Sequence, residues 1–284
     1  MSSVVGILIV LGCTAGGFLL AGGKLAALFH LSEWILICGI AGGLSVIASP
    51  PSALKGTIGA VLGVLKGGGS SRKDFEEMLQ LLFELFTIGR KNGLIALDEH
   101  MEDPAASSIL SKYQTFVSNE HRTSFLINNL RPIIDAKIKP EQLPGLMKSD
   151  IHSLEEEYEK PITVMHLAAE SLPAVGICAA VLGIIVTMGV LDQGAGKVGY
   201  KVAAALSGTF LGVYFAYGFV GPLCQRLHFA NEVEVQYYKV LAACLEAFAK
   251  GMAPIMAVEM GRRLIEEEMK PSAAELEELV KGAK

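Results

Sequence analysis

Charge is missing from four long stretches of this 284-residue chain: residues 1–23, 34–54, 171–191 and 202–225 contain no Asp, Glu, Lys or Arg. Each is at least 21 residues long. At about 1.5 Å of rise per residue, a helix of that length reaches about 30 Å, the thickness of a bilayer core. With 51% apolar and 19% charged residues and a mean hydropathy of +0.45, the composition excludes an ordinary soluble domain. Buried helices of a soluble core are usually shorter than these windows. The first window also lacks the basic start and small-x-small cleavage site of a signal peptide, so it reads as a membrane helix that is kept.

Other absences narrow the function. Twenty-four basic against 29 acidic residues leave a net charge of −5, with no basic face for nucleic acid. No CxxC pair occurs among the five cysteines Cys13, Cys38, Cys178, Cys224 and Cys244, so a reduced, unpaired set and no metal site are expected. The six histidines form no HExxH, and there is no GxSxG or Walker loop, which argues against an enzyme. His166, five residues before the third charge-free window, reads as an interfacial side chain. Period-two alternation of the strand type is absent too, so the chain is read as all-α.

Lys and Arg set the orientation. The loop at 24–33 has only Lys24, and the loop at 192–201 has Lys197 and Lys201, while the other 21 lie in 55–170 and 226–284. The positive-inside rule places those two regions in the cytoplasm, and four spans then put both termini there as well. The expectation is a polytopic membrane protein with four transmembrane helices and a helical cytoplasmic domain. Residues 1–54 form a hairpin of spans one and two, and 55–165 a cytoplasmic helical domain. Residues 166–225 hold spans three and four, and 226–284 cytoplasmic C-terminal helices.

Within these regions, Pro50 and Pro51 stop the second span, and an apolar stretch at 57–71 breaks at Gly67–Gly69. Residues 72–91 carry one apolar stripe, Phe75, Met78, Leu79, Leu82, Leu85 and Phe86, at helical spacing, and Gly93 ends it. Helical pieces follow at 94–104, 124–137 and 141–160, the last running into span three. Past span four, helix continues to a stop at Gly251, a further amphipathic helix covers 254–270, and Ser272 with Glu275 fits a capping box that opens a short final helix.

Polar groups inside the spans are few. They are Ser171 and Thr187 in span three, and Ser207, Thr209, Tyr214 and Tyr217 in span four. Such groups are costly in lipid and usually functional, although Thr209 also fits a plain helix threonine bonded to a carbonyl one turn earlier. Gly208, Gly212 and Ala216 recur every four residues, and Gly176, Ala180 and Gly183 form a similar face. These small faces let helices approach closely, within the chain or against a partner. Pro173 lies in the first turns of span three, where it is tolerated or kinks the helix. No carboxylate is expected within the apolar cores, Glu33 and Glu170 being placed at span ends. If the protein moves cations, the carboxylate that carries them then comes from another chain.

"ESLPAVG" opening span three, "GTFLGVYFAYGFVGPL" in span four and "APIMAVEMGRRLIEEEMKPSAAELEE" near the C-terminus resemble the flagellar motor stator family MotA. So do "GGFLLAGGKLAALFHLSEWILICG" and "GRKNGLIALDEHMEDP", and the likeness covers nearly the whole chain. The resemblance implies an inner-membrane protein that forms a ring of five around a dimer of MotB, whose single span carries the ion-binding aspartate. Inward proton flow at that aspartate turns the ring, and the cytoplasmic domain engages the rotor protein FliG. The family's ion-path prolines match Pro173 and Pro222, and its hydroxyl facing the partner aspartate matches Thr209. Its rotor-contacting charges match Arg90 and Asp98, with Asp in place of Glu, and a further acid matches Asp150. Sodium-driven relatives have Thr at the position of Ala180. Without that oxygen ligand a hard cation is poorly held, so the resemblance implies H⁺ and no cofactor. The alternative is an ExbB- or TolQ-like energiser of envelope transport, whose members typically have three spans.

Overall fold

The computed structural model describes residues 2–104 and 106–282. Met1 and Lys284, the two chain ends whose side of the membrane the basic-residue count assigns, lie outside the described residues. In chain order the helices are α1 (Ser2–Leu20), α2 (Leu31–Ala48), α3 (Pro51–Leu65), α4 (Arg72–Asn92), α5 (Asp98–Glu102) and α6 (Gln114–Val117). They continue with α7 (Glu120–Ile134), α8 (Leu143–Met188), α9 (Ala195–Phe215), α10 (Gly221–Ala249), α11 (Pro254–Leu264) and α12 (Ala273–Gly282). Short 3₁₀ turns join several of them, and no strand occurs among the described residues. The fold is all-α, and four helical stretches are long and apolar enough to cross a membrane. The chain divides into two units, one made of residues up to Gly68 with Tyr158–Ala230, the other of Gly69–Glu157 with the chain from Asn231 on.

The first unit is the apolar bundle. Its core joins Ile37 and Ala41 of α2, Leu172, Val175 and Ala179 of α8, and Leu211 of α9, with Trp34 and Phe215 packed against it. The Trp34 ring meets Phe215 edge-on at 5.2 Å. A second cluster sets Val64 of α3 against Ile162 and Met165 of α8 and Cys224 and Leu227 of α10. Leu8 and Ile9 of α1, Ile47 of α2, Ile185 of α8 and Leu206 of α9 are all exposed. Water does not tolerate apolar surface on that scale, and lipid or further protein does.

Two boundaries differ from the sequence expectation. Span two begins at Leu31, earlier than the charge-free window, so Glu33 lies in the first turn of α2 rather than outside it. A carboxylate is favoured there by the helix dipole. Second, the helix through span four opens into a π-helical turn over Ala216–Val220 before α10. Pro222 explains it: proline has no N–H to donate and its ring crowds the carbonyl four residues back, so the backbone widens. Pro51, by contrast, opens α3 at a position where a missing N–H costs nothing.

The second unit is a charged bundle around α4. All six residues of the predicted stripe are fully buried. Phe86 stacks on Phe248 at 4.2 Å and Phe75 packs against Tyr237 at 5.2 Å. Ser71 and Asp74 form a capping box at the start of α4, one that the sequence reading passed over. The expected Ser272–Glu275 box is present. Helix α11 ends at Leu264, short of the predicted 270. Glu266, Glu267 and Glu268 would stack three negative charges at the negative end of its dipole. Arg262 instead donates to the Pro271 carbonyl at 2.9 Å and ties down the extended chain.

A buried ion cluster holds this unit at its centre. Arg122 donates from Nε and Nη2 to Glu234 at 3.0 and 2.8 Å, reaches Asp74 at 3.3 Å and Ser70 at 2.8 Å, and lies 4.0 Å over the Tyr237 ring. Burial works against the guanidinium charge, and the bidentate bond to Glu234 outweighs it, so the proton is held above the usual arginine range. Arg122→Ala leaves two acids without their cation at a cost of about 3–5 kcal/mol. The melting transition of the detergent-extracted protein should fall by several degrees. Arg72→Ala removes only exposed pairs, with Glu76 and Glu275, and should leave the transition almost where it was. Equal effects of the two substitutions would show that the cluster is not a keystone.

Candidate functional site

In the apolar unit, α8 and α9 approach each other backbone to backbone. A methyl group built on Gly212 would lie 2.6 Å from the Leu172 carbonyl oxygen and 2.8 Å from Gly176 Cα. One built on Gly176 would lie 3.0 Å from the Gly208 carbonyl oxygen. Gly183 faces Ala205 in the same way. Gly176 and Gly183 of α8 thus lie along one seam with Ala205, Gly208 and Gly212 of α9. In lipid no hydrophobic drive pulls helices together, so this close van der Waals fit is what joins them. Ala216 is buried at the start of the π turn, and Ala180 lies partly exposed on α8.

Thr209 sits beside this seam, partly exposed. Of the threonines of this unit, Thr14, Thr57, Thr163 and Thr187 each donate to the carbonyl four residues earlier, at 2.8–3.1 Å. Thr209 makes no such bond and has no side-chain partner among the described residues. The plain helix-threonine reading does not hold for it among the described residues. Pro173 is partly exposed inside the unbroken α8, and Pro222 is exposed in the first turn of α10, after the widened turn.

One carboxylate overturns the expectation that the apolar core holds none. Glu33 is only 4% exposed. A methyl group on Gly208 would lie 2.7 Å from its Oε2. That oxygen has no hydrogen-bond partner, and its other oxygen receives only a long bond from Ser32 at 3.4 Å. His30 is buried nearby, its Nδ1 3.3 Å from Ser207 Oγ and its ring edge-on to Tyr200 at 5.3 Å. Sequence reasoning missed this group because Glu33 borders the charge-free window by a single residue. The available signal was the glycine at 208, which alone leaves room for it.

The residues expected to face the rotor lie in the charged unit and are not gathered into one site. Arg90, exposed in the last turn of α4, donates to the Gly251 carbonyl at 2.9 Å. Asp98 opens α5 with no side-chain partner among the described residues. Between them Ile95 is 82% exposed. Asp150 accepts from Asn129 Nδ2 at 3.1 Å, beside an open hollow lined by His121, Phe125, Asn128 and Ser153.

Four apolar spans, two of them joined by a seam of small residues, define an integral-membrane helical protein. The pattern for the N-terminal region of motility protein A matches residues 4–93, and that for the MotA/TolQ/ExbB proton channel family matches residues 117–240. Motility protein A of Escherichia coli K12 is 33% identical over 284 residues, 100% of this chain and 96% of that protein. Chemotaxis protein LafT of Vibrio parahaemolyticus is 34% identical over 278 residues, 98% and 97% of the two chains. The solved structure of C. jejuni MotAB superposes with a TM-score of 0.79 at 20% identity, over 96% of this chain and 98% of that one. The chain belongs to the motility protein A family, within the MotA/TolQ/ExbB proton channels.

The seam makes a direct prediction. Gly212→Ala forces its new methyl group against backbone atoms that cannot swing away, at a cost of about 1–3 kcal/mol. Gly12→Ala on α1 meets nothing within 4 Å and should be neutral or slightly favourable. Heating the two variants in detergent and recording residual helicity should separate them. Equal stability would mean that the α8–α9 approach is looser than described.

Proposed function

We propose that this chain is the ring-forming stator subunit of a bacterial flagellar motor. With a MotB-type single-span partner it couples inward proton flow to torque on the rotor. The observation that carries the reading is the free Thr209 hydroxyl beside the tight α8–α9 seam. It offers an oxygen to a group that another chain must bring, and an ion-binding aspartate on a partner helix is such a group. A proton needs only one acceptor, and Ala180 supplies no second oxygen for a larger ion.

The remaining roles follow from that placement. Pro173 and the widened turn before Pro222 free backbone carbonyls on the ion-path helices, where local rearrangement accompanies each proton. The charged segments 55–165 and 226–284 lie on the cytoplasmic side with both termini, and the short loops after α1 and α8 lie outside. Arg90, Asp98 and Asp150 present charge to the rotor protein FliG, and the shorter side chain of Asp98 reaches less far than a Glu would. The small-residue faces of Gly176, Gly208, Gly212 and Ala216 hold the spans at the spacing the ring needs. The work is ion conduction and torque, and no catalytic residue is assigned.

The test is complementation of a flagellated strain made non-motile by loss of its own subunit of this type. Thr209→Ala should insert and assemble normally yet slow rotation severalfold, while Thr209→Ser retains most of it. Arg90→Glu should weaken torque with assembly intact. A Thr209→Ala strain that rotates at full speed would remove the hydroxyl from the path. An Arg90→Glu chain that fails to insert would remove the support for a rotor contact.

A further inference from the structure

Glu33 is a buried carboxyl with one bare oxygen, and nothing in the family reading uses it. The helix dipole at the start of α2 would favour an acid there equally well if its side chain reached water. Instead the side chain turns inward against Gly208 of α9, where any larger residue would collide with Oε2. An ionised carboxylate in such surroundings is costly unless a proton or a cation meets it.

Two further polar side chains of this unit, His30 and Ser207, are buried as well. Ser207 has one hydroxyl proton and donates it to the Ala204 carbonyl at 2.7 Å. Its lone pairs are then left to accept from His30 Nδ1–H at 3.3 Å. Ser207, Gly208 and Thr209 are consecutive on α9. The same short stretch of helix therefore carries the histidine's partner, the gap that admits Glu33, and the free hydroxyl.

We propose that Glu33 is a proton relay belonging to this chain, placed before the partner's carboxylate on the path from the outer side. A hydronium ion gives up a proton and leaves as water while an O–H bond forms at Glu33 Oε2. That bond then breaks as the proton passes to the partner's aspartate beside Thr209. Glu33 returns to carboxylate and accepts the next proton. The proposal rests on the stator reading and adds to it a titratable group in this chain.

The test is proton flux into proteoliposomes that contain the chain with its co-expressed single-span partner, at equal reconstituted amount and under an imposed potential. Glu33→Gln keeps the size and a hydrogen-bond donor but cannot exchange a proton. The expected result is a fall in flux of about tenfold or more, while Glu33→Asp keeps a substantial part of it. Assembled complex per membrane, measured by co-purification, should be unchanged for both variants. If Glu33→Gln conducts like the unaltered complex, the relay is overturned. If flux per complex is normal and only the amount of complex drops, Glu33 has a packing role and the relay is again overturned. If the unaltered complex itself passes no protons, it is the stator reading that fails.

Discussion

Everything in the apolar unit depends on how closely α8 and α9 approach at Gly176 and Gly212. In water, apolar burial would hold two such helices together with many different side chains. In lipid that drive is absent, because the tails are as apolar as Leu, and only close van der Waals contact distinguishes one helix neighbour from another. Residues without side chains at the crossing are the means. Their placement also decides what else fits. Gly208, on the same face, leaves the space occupied by Oε2 of Glu33, and Thr209 follows it with an unused hydroxyl. A seam built for packing thus sits next to Glu33 on one side and carries Thr209 one residue further along α9.

The charged unit is organised by the opposite principle. Arg122 is buried among two acids, a serine and a tyrosine ring, where each partner compensates the desolvation of the others. The pairs on its surface, such as Arg72 with Glu275 or Lys137 with Asp135, are exposed to screening. The contrast separates charges that hold the fold from charges free to meet a partner. Asp98 belongs to the second group, and exposed Arg90, bonded only to a backbone carbonyl, can exchange that bond for a carboxylate.

Much of this was legible in the sequence, for physical reasons. Charge-free windows report helices in lipid because no other backbone state satisfies its own hydrogen bonds there. The stripe on 72–91 reports a buried helix face because the helical period is local. What stayed hidden depends on distant partners. Glu33 reads as a span-end residue until Gly208, far along the chain, is seen to leave room for it. The Thr209 hydroxyl reads as satisfied by its own helix, and only the coordinates show that it alone among its unit's described threonines makes no such bond. The π turn before Pro222 was foreseeable in kind, since proline disturbs a helix, but not in form. The early end of α11 was readable in principle from its run of three glutamates.

The central claim is that this chain conducts protons only in company, around a partner that brings a carboxylate. The most direct measurement is the native mass of the complex extracted from its own membrane, with the co-purifying chain sequenced. The account predicts a ring of five copies of this chain around two copies of a single-span protein with an aspartate in its span. A complex of this chain alone, or with a partner lacking that acid, would contradict it.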